Sequence, residues 1–135
     1  MPETRTIRIG SAVLVLKDGK ILLGRRDKEP NRGKWVLPGG KIEFGETHQQ
    51  AAAREAQEEL GIEVRPVRLA GKGVYHLIDE EHHRIIVYNI VEYVSGEVIP
   101  ASDTSEARFF TKEELSTLEI TPVVRSVLRD EGFVS

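Results

Sequence analysis

The fold is decided by the stretch GGKIEFGETHQQAAAREAQEELGI, residues 39–62. It contains an alanine-rich segment with the start and stop signals of a helix, and this segment lies between a glycine pair and a row of glutamates. Thr47 and Gln50 have the spacing of a capping box, and Gly61 is a typical glycine at the C-terminal end of a helix. At about 100° per residue, the apolar residues of this helix share one narrow arc, which comprises Ala52, Ala53, Ala56 and Leu60. We therefore expect the helix to pack closely against its neighbour through small side chains.

Three carboxylates share the adjoining face of this helix, namely those of Glu55, Glu58 and Glu59. Glu55 and Glu59 are one turn apart, and like charges at that spacing cost roughly 0.2–0.5 kcal/mol per pair. Arg54 can pair with Glu58 four residues on, but one guanidinium cannot neutralise three acids. A divalent cation can, and oxygen ligands without cysteine favour Mg²⁺, with Mn²⁺ as the alternative, over zinc. The other interpretation is a solvated charged face, which is the usual meaning of a glutamate-rich helix.

The composition is that of one globular domain spanning residues 1–135, with 39% hydrophobic residues and no cysteine. The absence of cysteine excludes disulfides and thiolate metal sites, and it fits a reducing, cytoplasmic location. The apolar run near the N-terminus is too short and too β-branched for a signal peptide or a membrane span, so no membrane partner is expected. A formal net charge of -3 does not favour duplex nucleic acid as a partner. The oligomeric state stays open between monomer and homodimer.

The rest of the chain alternates strand and helix signals. Asp18 and Gly19 are typical of a tight turn between two apolar strands. The patterns predict strands at residues 7–16, 20–26, 63–76, 84–94 and 107–110, and further helices at residues 112–118 and 122–129. Helices interspersed with strands indicate an α/β or α+β layered domain with a mixed sheet.

The spacing of the fixed residues in the central stretch resembles the signature of the Nudix hydrolases. Gly40 is followed after five residues by Glu46, and after seven more by the run Arg54-Glu55-Ala56-Gln57-Glu58-Glu59-Leu60-Gly61-Ile62. Ala56 is smaller than the aliphatic residue usual at its position, which concerns packing rather than chemistry. Residues 35–41 and 106–110 are also similar to this family, and the sequences ILLGRR and GGK resemble its MutT-like branch of nucleoside triphosphate pyrophosphohydrolases.

The resemblance implies the Nudix fold, an α/β domain with a mixed β-sheet sandwiched between α-helices. It implies that one or more Mg²⁺ ions are held by a backbone carbonyl of the glycine pair and by glutamate carboxylates, at Gly39, Gly40, Glu55, Glu58 and Glu59.

For catalysis, the resemblance implies that water attacks phosphorus and that a glutamate takes the proton. Glu55 and Glu58 are both candidates for this base, and Glu106 is the best candidate outside the central stretch. Arg54 is expected to orient a glutamate by ion pairing.

Candidates for substrate contacts are Arg25, Arg26, Trp35 and Lys41. Because successive strand residues point to opposite faces, at most one of the two arginines is expected to reach the phosphates. Trp35 could stack on a nucleobase or pack in the core, and Lys41 could contact phosphate or solvent. The histidines and acids of residues 76–83 are interpreted as a solvated hairpin tip rather than a metal site.

The favoured function is hydrolysis of nucleoside or deoxynucleoside triphosphates to monophosphate plus pyrophosphate. The alternative is a pyrophosphatase acting on ADP-ribose or another nucleotide sugar, although Leu77-Ile78-Asp79 lacks the proline that often marks ADP-ribose-cleaving relatives. Tyr75 lies slightly early for the dinucleoside polyphosphate enzymes. A Nudix-like module that binds nucleotides without cutting them is the alternative of another class, which the intact acids disfavour. Hydrolysis of an RNA 5′ end would need a basic channel that this sequence does not indicate.

Overall fold

The computed structural model describes residues 5–135, which form a mixed seven-stranded sheet with helices packed on both faces. The strands are β1 (Ile7–Lys17), β2 (Lys20–Arg26), β3 (Trp35–Val36), β4 (Gly39–Lys41), β5 (Glu63–Ile78), β6 (His83–Ser95) and β7 (Thr104–Phe110). The helices are α1 (His48–Leu60), α2 (Lys112–Thr117) and α3 (Pro122–Asp130). The predicted α/β class and mixed sheet are confirmed. Within residues 5–135, no helix has the length and apolarity needed to cross a membrane.

Strand β1 organises the sheet, because it pairs with three other strands. It lies parallel to β6 in continuous register and antiparallel to both β2 and β4. The turn into β2 is formed by Asp18 and Gly19, whose φ angles of 53° and 75° are the positive values that a two-residue hairpin turn requires. This confirms the predicted hairpin and leaves the first half of β1 free to pair with the glycine-containing β4.

The alternation of side chains along β1 and β2 divides the core into two layers. On one face, Val13, Val15 and Leu22 pack against α1, whose buried residues include the small side chains of Ala52 and Ala56. On the other face, the layer includes Leu14, Leu23, Phe110, Val124, Val127 and Leu128, which come from the sheet and α3. The expected close packing of α1 through alanines is therefore confirmed.

Strands β1, β5, β6 and β7 are longer than predicted from the sequence, and β3 and β4 were not predicted as strands. Strand β5 runs to Ile78, and its register with β6 shifts around Gly71 and Gly73, which both have positive φ. Strand β7 begins at Thr104, because its pairing with β2 continues across a bulge as far as Arg26. In β7 the bulge extends the strand beyond the point where simple alternation of apolar residues stops.

Helix α1 is capped at both ends by the residues that the sequence indicated. The N–H of Gln50 donates to the Thr47 hydroxyl at 3.1 Å, and the N–H of Thr47 donates to the Gln50 side-chain oxygen at 2.9 Å. Gly61 adopts the left-handed conformation at the other end, with φ 71°.

The loop after β6 binds the C-terminal end of α1 through its backbone. The N–H of Ile99 donates to the carbonyl of Leu60 at 2.8 Å, and the N–H of Ala101 donates to the carbonyl of Glu59 at 2.9 Å. These bonds satisfy carbonyl groups that a helix otherwise leaves without partners in its last turn.

Candidate active site

Arg54 is the centre of an ion-pair network on the outer face of α1. Its guanidinium donates to both carboxylate oxygens of Glu46 at 2.8 and 3.0 Å, to Glu55 at 2.8 Å and to Glu58 at 3.2 Å. It also donates to the carbonyl of Lys41 at 2.8 Å. The bidentate pair lowers the pKa of Glu46 to about 2. One arginine thus joins the loop before the helix, the glycine-containing strand and two carboxylates of the acidic face.

Two of the three carboxylates on this face are removed from solvent. Glu55 is only 9% exposed, and burial raises its pKa although Arg54 opposes that rise. Burial also raises the pKa of Glu59, to about 7, with further contributions from the charges of Glu55 and Asp103. The backbone of Gly39 acts in the opposite direction. Ionisation of these carboxyl groups therefore costs free energy in the metal-free protein, and a bound cation would offset that cost.

The glycine pair of β4 lies where a side chain would not fit. A Cβ atom on Gly40 would lie 2.5 Å from the carboxylate of Glu55, and one on Gly39 would lie 2.5 Å from the carbonyl oxygen of Ser11. Gly40 therefore allows its backbone to approach the acidic face of α1 directly. This contact explains the first fixed glycine of the motif in physical terms.

The carboxylates of the acidic face and the carbonyl groups of the glycine pair together fit a hard divalent cation such as Mg²⁺ or Mn²⁺. Clustered carboxylates with raised pKa values lie against a glycine backbone whose carbonyl groups can act as further oxygen ligands. Among residues 5–135, the acids and histidines do not yet converge on one point as a closed ligand shell, and Arg54 occupies oxygens of Glu55 and Glu58. We expect these two carboxylates to exchange part of their contact with Arg54 for a cation.

A closed ring of hydrogen bonds fixes the N-terminal end of α1 to the sheet. The Ser11 hydroxyl donates to the carbonyl of His48 at 2.6 Å, and the Asn89 amide donates to the Ser11 hydroxyl at 2.9 Å. Because that amide nitrogen is a donor, the Asn89 oxygen is the acceptor for His48 Nδ1 at 2.8 Å. Sequence reasoning missed this ring, although two polar residues within apolar strands were a signal of it.

A cavity of about 980 Å³ extends from the acidic face of α1 along the sheet. Arg26 and Lys41 line it beside the glycine pair, whereas Arg25 lies on the other face of β2 and donates to the carbonyl of Gly33 at 3.1 Å. This is the alternation expected for consecutive strand residues, and it makes Arg26 the arginine that is close to the acids.

Trp35 lies in the core and does not line this cavity. Its side chain is only 7% exposed, and its ring packs edge-to-face on Phe110 with centroids 4.9 Å apart. The guanidinium of Arg108 lies over the same ring at 5.6 Å. The packing interpretation of Trp35 therefore fits the structure, and the base-stacking interpretation does not.

Glu106 lies on the opposite face of the sheet from α1. It pairs in register with Arg25, and its carboxylate is 3.9 Å from that guanidinium and 3.6 Å from Arg108. Asp103 is the acid from this part of the chain that lines the cavity, where it contributes to the raised pKa of Glu59. This placement favours Asp103 over Glu106 as an outside partner of the acidic face, and only the polar loop composition hinted at it.

The hairpin tip between β5 and β6 has the structure of a self-contained turn. The Asp79 carboxylate accepts hydrogen bonds from the N–H groups of Glu81 and His82, at 2.8 and 2.7 Å. The exposed turn agrees with the interpretation as a solvated tip for residues 79–82 only, because residues 76–78 belong to β5, and His83 begins β6 with its Nε2 buried and without a hydrogen-bond partner among the described residues.

Comparisons with known proteins agree with the geometry. A family model described as NUDIX domain matches residues 6–130. The chain is 37% identical over 107 residues to an ADP-ribose pyrophosphatase of Methanocaldococcus jannaschii, covering 78% of this chain and 62% of that protein. It is 39% identical over 75 residues to an oxidized purine nucleoside triphosphate hydrolase of Danio rerio, covering 56% and 48%. The chain thus spans less than two thirds of the length of both relatives.

Solved structures share the whole architecture. A MutT NUDIX hydrolase from Burkholderia pseudomallei superposes with a TM-score of 0.81 at 28% identity, over 93% of this chain and 98% of that one. A MutT protein from Methanosarcina mazei Go1 superposes with a TM-score of 0.80 at 29% identity, over 98% and 96%.

Proposed function

Since the chain belongs to the NUDIX domain family, we propose that it is a metal-dependent hydrolase of substrates that contain a nucleoside diphosphate. The observation that carries this proposal is the contact between the glycine pair and the buried carboxylates of α1, at the edge of a large cavity. A non-catalytic nucleotide-binding module would have no use for acids whose burial raises their pKa values.

In the proposed site, Glu58, Glu59 and a carbonyl of the glycine pair would hold Mg²⁺ or Mn²⁺. When bound, the cation would neutralise the diphosphate and favour ionisation of a nearby water molecule. Arg26 and Lys41 would bind the phosphates, since they line the cavity beside the glycine pair.

Glu55 is the proposed proton acceptor, because it is buried beside Arg54 and its pKa is raised. The water oxygen bonds to one phosphorus, and the bond from that phosphorus to the bridging oxygen breaks. The water proton passes to Glu55, and the bridging oxygen leaves with the second phosphate. Arg54 positions Glu55 throughout by its ion pair.

The proposed substrates are nucleoside or deoxynucleoside triphosphates, cleaved to monophosphate and pyrophosphate. An oxidized purine nucleoside triphosphate hydrolase among the relatives supports this choice. A nucleotide-sugar pyrophosphatase is the second candidate, which the similarity to an ADP-ribose pyrophosphatase over 78% of this chain favours.

A substrate panel in ¹⁸O-labelled water separates these candidates. We expect triphosphates to give monophosphate and pyrophosphate, with label in one product, and ADP-ribose to be cleaved with lower kcat/KM. Activity should require Mg²⁺ or Mn²⁺ and disappear in excess EDTA. Release of inorganic phosphate from the terminal position, or full activity in EDTA, would contradict the proposal.

Substitution of the acidic face tests the residue roles. Glu58→Gln should lower kcat by a factor on the order of 10² while the circular dichroism spectrum stays unchanged, because a metal ligand and not the core is altered. Glu63→Gln is the matched control, since this glutamate is exposed at the start of β5 and outside the cavity. Equal turnover of the two variants would remove Glu58 from the site.

A further inference from the structure

We propose that Arg8 and Arg84 form a second anion-binding subsite, which takes a phosphate monoester or a carboxylate on the organic part of the substrate. Both residues line the same cavity as the acidic face of α1. The inference rests on the proposed function, because it assumes that the diphosphate occupies the acidic end of this cavity.

The two arginines are held side by side by the central pairing of the sheet. Arg8 of β1 is directly opposite Arg84 of β6 in the parallel register. Side chains at opposed positions of neighbouring strands point to the same face, so both guanidinium groups stand on the side of the sheet that carries Ala12 and Tyr88, opposite α1, and the cavity reaches this side from the acidic face. Like charges at such positions repel each other, and an anion between them would remove that cost.

Several charged groups in the cavity already have partners, whereas these two guanidinium groups have none among the side chains of residues 5–135. Lys28 pairs with Asp103 at 3.1 Å, and Asp79, the acid of the hairpin tip, accepts two backbone hydrogen bonds from its own turn. Arginine presents a planar fork of donors that matches phosphate and carboxylate oxygens. The pair is therefore suited to an anion that comes with the substrate.

An apolar floor connects the two ends of the cavity. The next residues on the same face of β6 are Ile86 and Tyr88, which lie opposite Gly10 and Ala12 of β1 and also line the cavity. Tyr88 is only 3% exposed, whereas Arg8 and Arg84 are both exposed. The floor suits a ribose, base or second sugar that lies between two anionic groups.

The separation along β1 fits a substrate of this shape. Ser11 is paired with Gly40, and Arg8 is three residues further along the strand from Ser11. At the rise of an extended strand, three residues correspond to about 10 Å. If the second candidate function holds, the subsite therefore favours a nucleoside diphosphate derivative with a second anionic group one sugar or nucleoside away from the diphosphate.

Matched ligand pairs test the subsite without relying on turnover. Dissociation constants would be measured by calorimetry with Ca²⁺ in place of Mg²⁺, for NADP⁺ against NAD⁺, coenzyme A against dephospho-coenzyme A, and UDP-glucuronate against UDP-glucose. The first two pairs add a phosphate on the nucleoside side, and the third adds a carboxylate on the sugar side. We expect the anionic member of at least one pair to bind about ten-fold or more tightly than its partner.

The variants Arg8→Gln and Arg84→Gln should each bring that ratio towards one. Arg65→Gln is the matched control, because Arg65 pairs with Glu92 on β6 outside the cavity, and it should leave the ratio unchanged. Ratios of about one for all three pairs in the unmodified protein, or a ratio that survives both substitutions, would overturn the subsite. A preserved ratio in a protein that hydrolyses nothing with Mg²⁺ would instead count against the proposed function alone.

Discussion

Glu59 links the stability of this protein to pH. Burial raises its pKa from 4.5 to about 7, so the folded protein without metal keeps a proton there that the unfolded chain releases. The stability contributed by this proton is full below about pH 4.5 and is lost as the pH rises through about 7. Glu59→Gln should remove this loss and make the metal-free protein more stable at pH 8, by roughly 1–3 kcal/mol.

Urea unfolding in EDTA at pH 5 and pH 8 measures this effect as a difference between the two proteins. With Mg²⁺ at pH 8 the order should reverse, because only the unmodified protein gains the full stabilisation by the cation. Identical pH slopes for the two proteins in EDTA would show that Glu59 does not hold the proton.

Individual residues also show where the sequence is informative. The acids and Arg54 followed from their spacing, since helical geometry alone places them on one face. Glu106 and Trp35 could not be placed that way. Alternation shows which strand residues share a face, but only the register of β7 on β2 determines that the face of Glu106 lies opposite α1.

At the scale of elements, the ring of Ser11, His48 and Asn89 sets the position of α1 on the sheet. Asn89→Leu would leave the imidazole of His48 without its partner and remove the hydrogen bond that the Ser11 hydroxyl accepts, so we expect a loss of about 1–3 kcal/mol in the free energy of unfolding. Because the same helix carries the proposed metal ligands, the Mg²⁺ concentration for half-maximal activity should also rise.

Gln57→Leu serves as the control for this prediction, because it exchanges an exposed amide on the same helix for the same side chain. Metal titrations and urea unfolding of both variants decide the matter. If Asn89→Leu lost stability but kept the metal dependence of the unmodified protein, the ring would matter for folding and not for the site.

The elements themselves were predictable to different degrees. The limits of α1 and the first hairpin depend on neighbouring residues, such as Thr47 with Gln50, and could be derived from the sequence. The extent of β7 depends on β2, a partner far along the chain, which brings residues of mixed polarity into the sheet across a bulge.

For the molecule as a whole, the arrangement of strands could not be predicted from local sequence patterns. Strand β1 is parallel to β6 and antiparallel to β4, and these two pairings join segments distant in the sequence. A resemblance over most of the chain implied the fold where apolar patterns alone left α/β and α+β open. The ring of Asn89 and the position of Asp103 are consequences of that topology, which explains why neither was found beforehand.

The loop after β6 makes Glu59 a point where two parts of the molecule are joined. The carbonyl of Glu59 accepts the N–H of Ala101, and its side chain lies on the acidic face towards the proposed cation. A ligand that holds the carboxylate therefore also restrains the backbone to which the loop is bound. We expect Mg²⁺ to slow amide hydrogen exchange at Ile99 and Ala101, although neither residue belongs to the proposed metal site.

Exchange measured by NMR at Val67, an exposed position of β5, provides the reference. Equal slowing at all three amides would indicate general stabilisation, and no slowing at Ile99 and Ala101 would contradict the coupling. If the coupling holds, the loop that carries Asp103 is less ordered in the metal-free protein and becomes ordered over the cavity when the cation binds. Metal binding and enclosure of the substrate would then occur together.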